Sequence, residues 1–259
     1  MPLEPSAALL TDRVAVVTGA AVGIGEAIAL AFANFGAHLA ICDRDVPNLD
    51  QTADAIEASG RRVVAAELDV REGEQVDGFL DVVREQFGGV DILVNNAGGG
   101  FRASFLDVNA KGQDSLIREN FVSVTHFIRG VVPLMTESGG SIVNLTSIEA
   151  HRGAPGYAVY AAMKAAVANL TKTLALELGD RMIRVNCIAP DVIPTPGIGA
   201  DLPMNTPLLR RGHVDDVAAA AVYLAGDLGR FVTGTTIHVD GGNLAAGGWR
   251  RADDGSFTT

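Results

Sequence analysis

Short apolar, β-branched runs alternate along the whole chain with longer stretches in which apolar positions recur every three or four residues. Residues 14–18, 39–43, 63–68, 92–95, 141–145, 184–189 and 235–239 read as strands. Amphipathic helical patterns lie between them, among others at 25–35, 72–87, 114–135 and 157–178. Runs such as Val14-Ala15-Val16-Val17 do not alternate with polar residues, which predicts strands covered on both faces. Seven such strands separated by helices predict an α/β protein, a doubly wound parallel seven-stranded sheet with right-handed crossovers.

Two regions interrupt the pattern. After the sixth strand, residues 190–212 hold Pro190, four further prolines and three glycines with no sustained helical period. Following a strand, this loop is expected at the carboxyl edge of the sheet, where α/β proteins bind ligands. The polar stretch 247–259 contains the only tryptophan, Trp249, and is expected to be loosely packed or docked on a neighbour. Without a repeat or linker, the organisation reads as an N-terminal tail (1–11), one α/β domain (12–246) with loop 190–212 at its ligand edge, and a C-terminal tail (247–259).

Composition narrows the partners. With 20 basic against 31 acidic residues the net charge is −11, which argues against a nucleic-acid backbone as ligand. Cys42 and Cys187 each sit inside an apolar run and read as core residues of a reducing compartment, not as a disulfide or a metal site. The N-terminal residues lack the basic start of a secretory signal, and the apolar stretch 27–42 is too short and interrupted to span a bilayer. The expectation is a cytoplasmic protein without a membrane or metal site.

The first strand runs through Thr18-Gly19-Ala20-Ala21-Val22-Gly23-Ile24-Gly25 into a helix. Glycines at such a turn let the backbone approach a pyrophosphate, and the helix start offers free N–H groups to it. Asp43 ends the second strand, where a carboxylate accepts hydrogen bonds from adenosine ribose hydroxyls and repels a 2′-phosphate. No lysine or arginine lies within 20–22 to hold that phosphate. Arg44 is the nearest cation, so the preference is NAD over NADP. Asp69, after the third strand, is placed to meet the adenine amino group, with Val70 packing on the ring. Asn95-Asn96-Ala97-Gly98 closes the fourth strand with small residues that let backbone line a cofactor pocket.

Tyr160 and Lys164 are four residues apart on a helical pattern and therefore share a face. A phenol titrates near pH ~10 in water. A neighbouring ammonium favours phenolate and brings the tyrosine closer to use as a proton shuttle. Ser147 can add a neutral hydrogen bond to the same substrate oxygen. Tyr157 has Ala161 one turn on and lacks the lysine.

The glycine-rich turn, Asn-Asn-Ala-Gly, Ser147 and Tyr160-x-x-x-Lys164, in this order, resemble the short-chain dehydrogenase/reductase family over roughly residues 12–242. The resemblance implies a Rossmann fold and reversible hydride transfer between NAD and a secondary alcohol or ketone. Carried onto this chain, it makes Tyr160 the proton donor or acceptor and Ser147 the hydrogen-bonding partner of the substrate oxygen. Lys164 would depress the Tyr160 pKa and hold the nicotinamide ribose, and Asn120 would hold a relay water beside it. Cofactor contacts fall on Gly19, Gly23, Ile24, Gly25, Asp43, Asp69, Val70, Asn96, Ala97, Gly98, Tyr160, Lys164, Pro190 and Thr195, the last gripping the carboxamide. A homotetramer through the long helices and last strand is also implied.

Two departures stand out: Pro190-Asp191 replaces the family's Pro-Gly, and the loop from 195 to 212 is short for a substrate lid. A short lid leaves room for a bulky apolar alcohol or ketone, steroid-like or a 3-oxoacyl thioester; a smaller polar alcohol stays open. Glu149, His151 and Arg152 are available for polar contacts beside the cleft. The alternative, a non-catalytic NAD-sensing or scaffold protein on this fold, is disfavoured because Asn120, Ser147, Tyr160 and Lys164 are all present.

Overall fold

A computed structural model describes residues 3–197, 206–252 and 254–258. Its centre is a parallel sheet of β1 (Val14–Thr18), β2 (His38–Asp43), β3 (Val63–Glu67), β4 (Ile92–Asn95), β5 (Gly140–Leu145), β6 (Ile183–Pro190) and β7 (Thr236–Val239). The strand order is β3-β2-β1-β4-β5-β6-β7. The order in which successive strands are added reverses between the parallel neighbours β1 and β4, which pair with Ala15 opposite Ile92, and a crevice opens at that switch point. The sheet agrees with the seven expected strands, which shift by no more than a residue at either end.

Alternate residues of each strand feed two separate cores, the physical reason the strands read as unbroken apolar runs. Ala15, Val17, Leu39, Ile41, Ile92 and Val94 pack with Ile28 and Phe32 of α1 (Gly23–Asn34) and with Val217 and Ala221 of α7 (Val214–Ala225). Val16, Ala40, Cys42, Leu93 and Ile142 face the opposite side, towards Phe79 and Val83 of α3 (Gly73–Phe87). Phe127 and Val131 of α5 (Ser123–Val131) and Val167 of α6 (Ala158–Glu177) close that second core. Local signals set the helix ends. Asp45 caps α2 (Val46–Ala58) by accepting the Asn48 N–H, and Gly88 ends α3 at φ +81°. Both cysteines are free and fully buried, and burial raises the Cys187 thiol to about 11.

Three segments differ from expectation. Residues 114–135 are not one helix: α4 (Ala110–Ile117) passes through a π-helical turn (Arg118–Val122) into α5, and Val132–Leu134 forms a 3-10 turn. Leu10, inside the stretch set apart as an N-terminal tail, is fully buried and donates its N–H to the Phe35 carbonyl at 2.7 Å. The C-terminal stretch, preceded by the short helix α8 (Asn243–Ala246), forms a two-stranded antiparallel hairpin of β8 (Arg250–Arg251) and β9 (Phe257–Thr258). Within the expected substrate loop, residues 198–205 lie outside the described residues. No helix among the described residues is long and apolar enough to cross a membrane.

Candidate active site

The turn between β1 and α1 is a cradle built by exclusion of side chains. Gly19 and Gly23 adopt φ +67° and +69°, and a Cβ on Gly25 would sit 2.0 Å from the Gly19 carbonyl oxygen. The Asn96 amide donates to the Thr18 and Gly19 carbonyls at 3.0 and 2.9 Å, while the N–H groups of Asn96 and Ala97 both reach Thr18 Oγ1 at 3.0 Å. These bonds stitch the end of β4 to the turn. Ile24 packs partly buried on the α1 core. Thr195 reaches over from beyond β6, so that a Cβ on Gly23 would lie 3.1 Å from its methyl.

Asp43, at the carboxyl end of β2, accepts the Ala21 N–H at 3.1 Å and the Arg44 N–H at 2.6 Å. It also accepts the Asp45 N–H at 3.1 Å, so of about four acceptor positions one is left for a ribose hydroxyl. Arg44 turns away from it, towards Glu119 at 3.3 Å and Asp69 at 3.9 Å. Asp69 is not a free acceptor: Arg71 forks onto it, with Nε 2.9 Å from Oδ1 and Nη2 2.5 Å from Oδ2. That guanidinium holds the Asp69 carboxyl below its ordinary range. Val70 beside it is buried. Sequence spacing placed Asp69 but could not show that Arg71, two residues on, occupies it.

Across the crevice the proton-handling residues converge. The π-helical turn buries Asn120 completely, its amide donating to the carbonyls of Gly99 (2.8 Å) and Leu116 (3.0 Å). Gly98 fits between it and the lysine: a Cβ there would lie 2.8 Å from Asn120 Oδ1 and 3.0 Å from Lys164 Nζ. Lys164, buried on α6, donates to the Leu145 carbonyl at 2.9 Å, with Nζ 5.7 Å from the Tyr160 ring centre. Ser147 caps the 3-10 turn Ile148–Ala150, accepts the Glu149 N–H at 3.1 Å and hydrogen-bonds Tyr160.

The electrostatics correct one expectation. Lys164 does not pull the Tyr160 pKa down here; burial pushes the phenol up, partly offset by the Ser147 hydrogen bond. The same burial lowers Lys164 to about 8. Its ammonium is spent on the Leu145 carbonyl, not on the phenol.

Residues 19–243 match the family described as enoyl-(acyl carrier protein) reductase. The chain belongs to the short-chain dehydrogenase/reductase family. It is similar to 3β-hydroxysteroid dehydrogenase 1 of Eggerthella lenta, 40% identical over 255 residues that cover 90% of this chain and 94% of that one. The 3-oxoacyl-[acyl-carrier-protein] reductase of Thermotoga maritima is 38% identical over 242 residues, covering 90% and 98%. Among solved structures, a 7α-hydroxysteroid dehydrogenase complexed with NADH and 7-oxo glycochenodeoxycholic acid superposes with a TM-score of 0.89 at 32% identity. It covers 93% of this chain and 98% of that one. The protein is thus an oxidoreductase of this family, acting on CH–OH or keto groups with a nicotinamide cofactor.

Against that family frame, the end of β6 is the departure. Pro190 is buried, and Asp191 occupies the place expected of glycine with its side chain only 8% exposed. Asp191 accepts from the Asn243 amide at 2.6 Å and lies 3.7 Å from Arg152. Arg152 in turn forks onto Glu149 at 2.8 and 3.3 Å. His151, from the same loop, meets His238 of β7 edge-on at 4.7 Å between ring centres. A cavity of about 630 Å³ lies behind Asp191, lined also by Ile193, Leu208, Arg210 and Asp240 but not by Tyr160. Nothing in the residue spacing announced this chain of contacts; the one available signal was an acid where glycine is expected.

Proposed function

We propose that the protein is an NAD-dependent dehydrogenase/reductase that interconverts a bulky apolar secondary alcohol and its ketone. The observation that carries this reading is the meeting of Ser147, Tyr160, Lys164 and Asn120 at the mouth of a side-chain-free cradle. The cradle fits a dinucleotide because its free space exists only where glycines stand. Asp43 would hold the adenosine ribose, Gly19 to Gly25 the pyrophosphate, Lys164 the second ribose, and Pro190 and Thr195 the nicotinamide. Asp69 and Val70 would flank the adenine, provided Arg71 yields. Bound there, the nicotinamide supplies or accepts the hydride.

The chain's own residues handle the proton. Because burial keeps the Tyr160 phenol protonated at neutral pH, it enters ketone reduction ready to donate to the carbonyl oxygen, which Ser147 also holds. In alcohol oxidation the same oxygen must first lose its proton, so that direction gains from alkaline pH. Asn120 and Lys164, on either side of Gly98, would refill the proton through water.

NAD is preferred over NADP because Asp43 faces the turn while Arg44 is drawn to Glu119. The apolar side chains of Phe101, Phe105, Val108 and Tyr157 beside Tyr160 suit a ring-shaped alcohol, as do the hydroxysteroid dehydrogenases among its relatives. A cytoplasmic homotetramer belongs to the same reading, with the outward Leu176 of α6 as a candidate contact. Sedimentation showing only monomer at micromolar concentration refutes that part.

The test follows nicotinamide absorbance with NAD and with NADP against ring, acyl-thioester and short polyol alcohols, with Tyr160→Phe in parallel. The expected result is turnover with NAD on ring alcohols, reduced roughly 10²- to 10⁴-fold in the variant while NADH still binds. Near-normal turnover by Tyr160→Phe sinks the mechanism.

A further inference from the structure

We infer that Asp191 is a specificity-determining residue, which takes Arg152 out of play and so keeps anionic groups away from the substrate side of the cleft. The inference rests on the dehydrogenase reading above and names the substrate class more narrowly: carbonyl compounds with no carboxylate or phosphate near the reacting carbon.

Arg152 is the cation nearest to Ser147 in sequence on this wall, and without the carboxylates around it, Glu149 and Asp191, it would be a ready anchor for an acidic substrate. In the structure it stands between two carboxylates, Glu149 at 2.8 Å and Asp191 at 3.7 Å. The Asn243 amide holds Asp191 from behind at 2.6 Å, so its nearly buried carboxylate does not swing away to release the guanidinium. Asp240 adds a third negative charge that Arg152 feels, while its own oxygens accept the N–H groups of Gly242 and Leu244 at 2.9 and 2.8 Å. The same strand-end region carries Arg210, but that side chain is forked onto Asp216 at 2.7 and 2.8 Å. Arg211 lines the neighbouring cavity, and Lys172 bears on His151. On the wall itself three carboxylates face one guanidinium, and Glu149 acts directly on Tyr160. An anion brought to the carbonyl would meet that surplus. Rejection by like charge is a recognised route to specificity.

The experiment compares quenching of enzyme-bound NADH fluorescence by iodide, an anion, and by acrylamide, a neutral quencher of similar reach. Wild type, Asp191→Asn and Arg152→Gln are measured at low and high chloride. Asp191→Asn keeps an acceptor for Asn243 and nearly the same shape, so it removes charge and little else. The expected result is that the iodide-to-acrylamide ratio of quenching constants rises roughly three- to sevenfold in Asp191→Asn at low salt, shrinking at high salt. Arg152→Gln should move the ratio the other way, a reversal that a merely structural role does not produce. Bound NADH with the same ratio in all three proteins overturns the inference and leaves the dehydrogenase reading standing. Failure of wild type to bind NADH removes that reading and the inference with it.

Discussion

On the cofactor side of the cleft the contacts involve backbone: Gly25 lies against the Gly19 carbonyl, Asn96 donates to two carbonyls of the turn, and Asp43 receives N–H groups. On the substrate side they join charged side chains, Glu149 to Arg152 to Asp191, with Asn243 behind. A backbone contact is broken by any Cβ in the wrong place, whereas a side-chain pair tolerates replacement by another pair or by water. The first region therefore fixes the common chemistry, and the second is free to change substrate without unmaking the fold.

The sharpest test of this difference is steric. Gly25→Ala puts a Cβ against the Gly19 carbonyl, and neither backbone segment has room to withdraw because Asn96 pins the same turn. The expected cost is about 3 kcal/mol of stability, read from urea unfolding, together with loss of NADH binding. Gly153→Ala, in the loop that carries Arg152, meets nothing within 4 Å and should change stability by less than about 0.5 kcal/mol. Equal effects at the two glycines would erase the distinction.

This difference also explains what was legible beforehand. The seven strands, Gly19, Gly25, Tyr160 and Lys164 could be read because their constraints are local: period, positive φ, close approach, one helical turn. Asn120 was placed by resemblance, yet the π-helical turn that buries it was invisible, since one extra residue in a helix leaves no period to detect over so short a span. The Arg71 fork on Asp69 and the Arg152 contacts join side chains whose rotamers no spacing rule sets. The raised Tyr160 pKa was missed for a different reason: burial opposes a neighbouring cation, and burial is a property of the packed molecule.

Lys164 lies where the two regions meet, and its charge can be titrated. Its folded pKa of about 8 lies below the ordinary 10.5, so the fold disfavours the ammonium. Between those values the unfolded chain binds more protons, and stability on this residue's account rises with pH through that window. Relative to Lys164→Met, wild-type apoprotein should gain about 2 kcal/mol between pH 7.5 and 9.5 in urea titrations. A flat difference would place the lysine in water. In turnover, ketone reduction should weaken as pH rises past about 8, where Lys164 loses the proton with which it would refill Tyr160, while alcohol oxidation strengthens.

Cofactor choice tests the boundary of the backbone-held region. Asp43→Ser removes the charge proposed to face the ribose, while the Arg44 side chain keeps its partner Glu119 at 3.3 Å. The NAD-over-NADP ratio of kcat/KM should fall roughly tenfold, equivalent to about 1.4 kcal/mol. An unchanged ratio would mean that the discrimination is not electrostatic at this position.

A small effect on stability is expected where specificity is concentrated. Arg152→Gln removes the guanidinium between Glu149 and Asp191, which for two fully buried acids would be severe. Here Glu149 is 25% exposed and can be hydrated, and Asp191 keeps the Asn243 donor at 2.6 Å. Arg152 itself is 35% exposed, so its ion pairs are screened by solvent and ordinary salt. The unfolding midpoint should therefore shift by no more than about 1 kcal/mol equivalent, even as the anion selectivity of the cleft changes. A loss near the ~3 kcal/mol expected for Gly25→Ala would show the charged wall to be as rigid as the glycine cradle, and a change of substrate would then cost the fold as well.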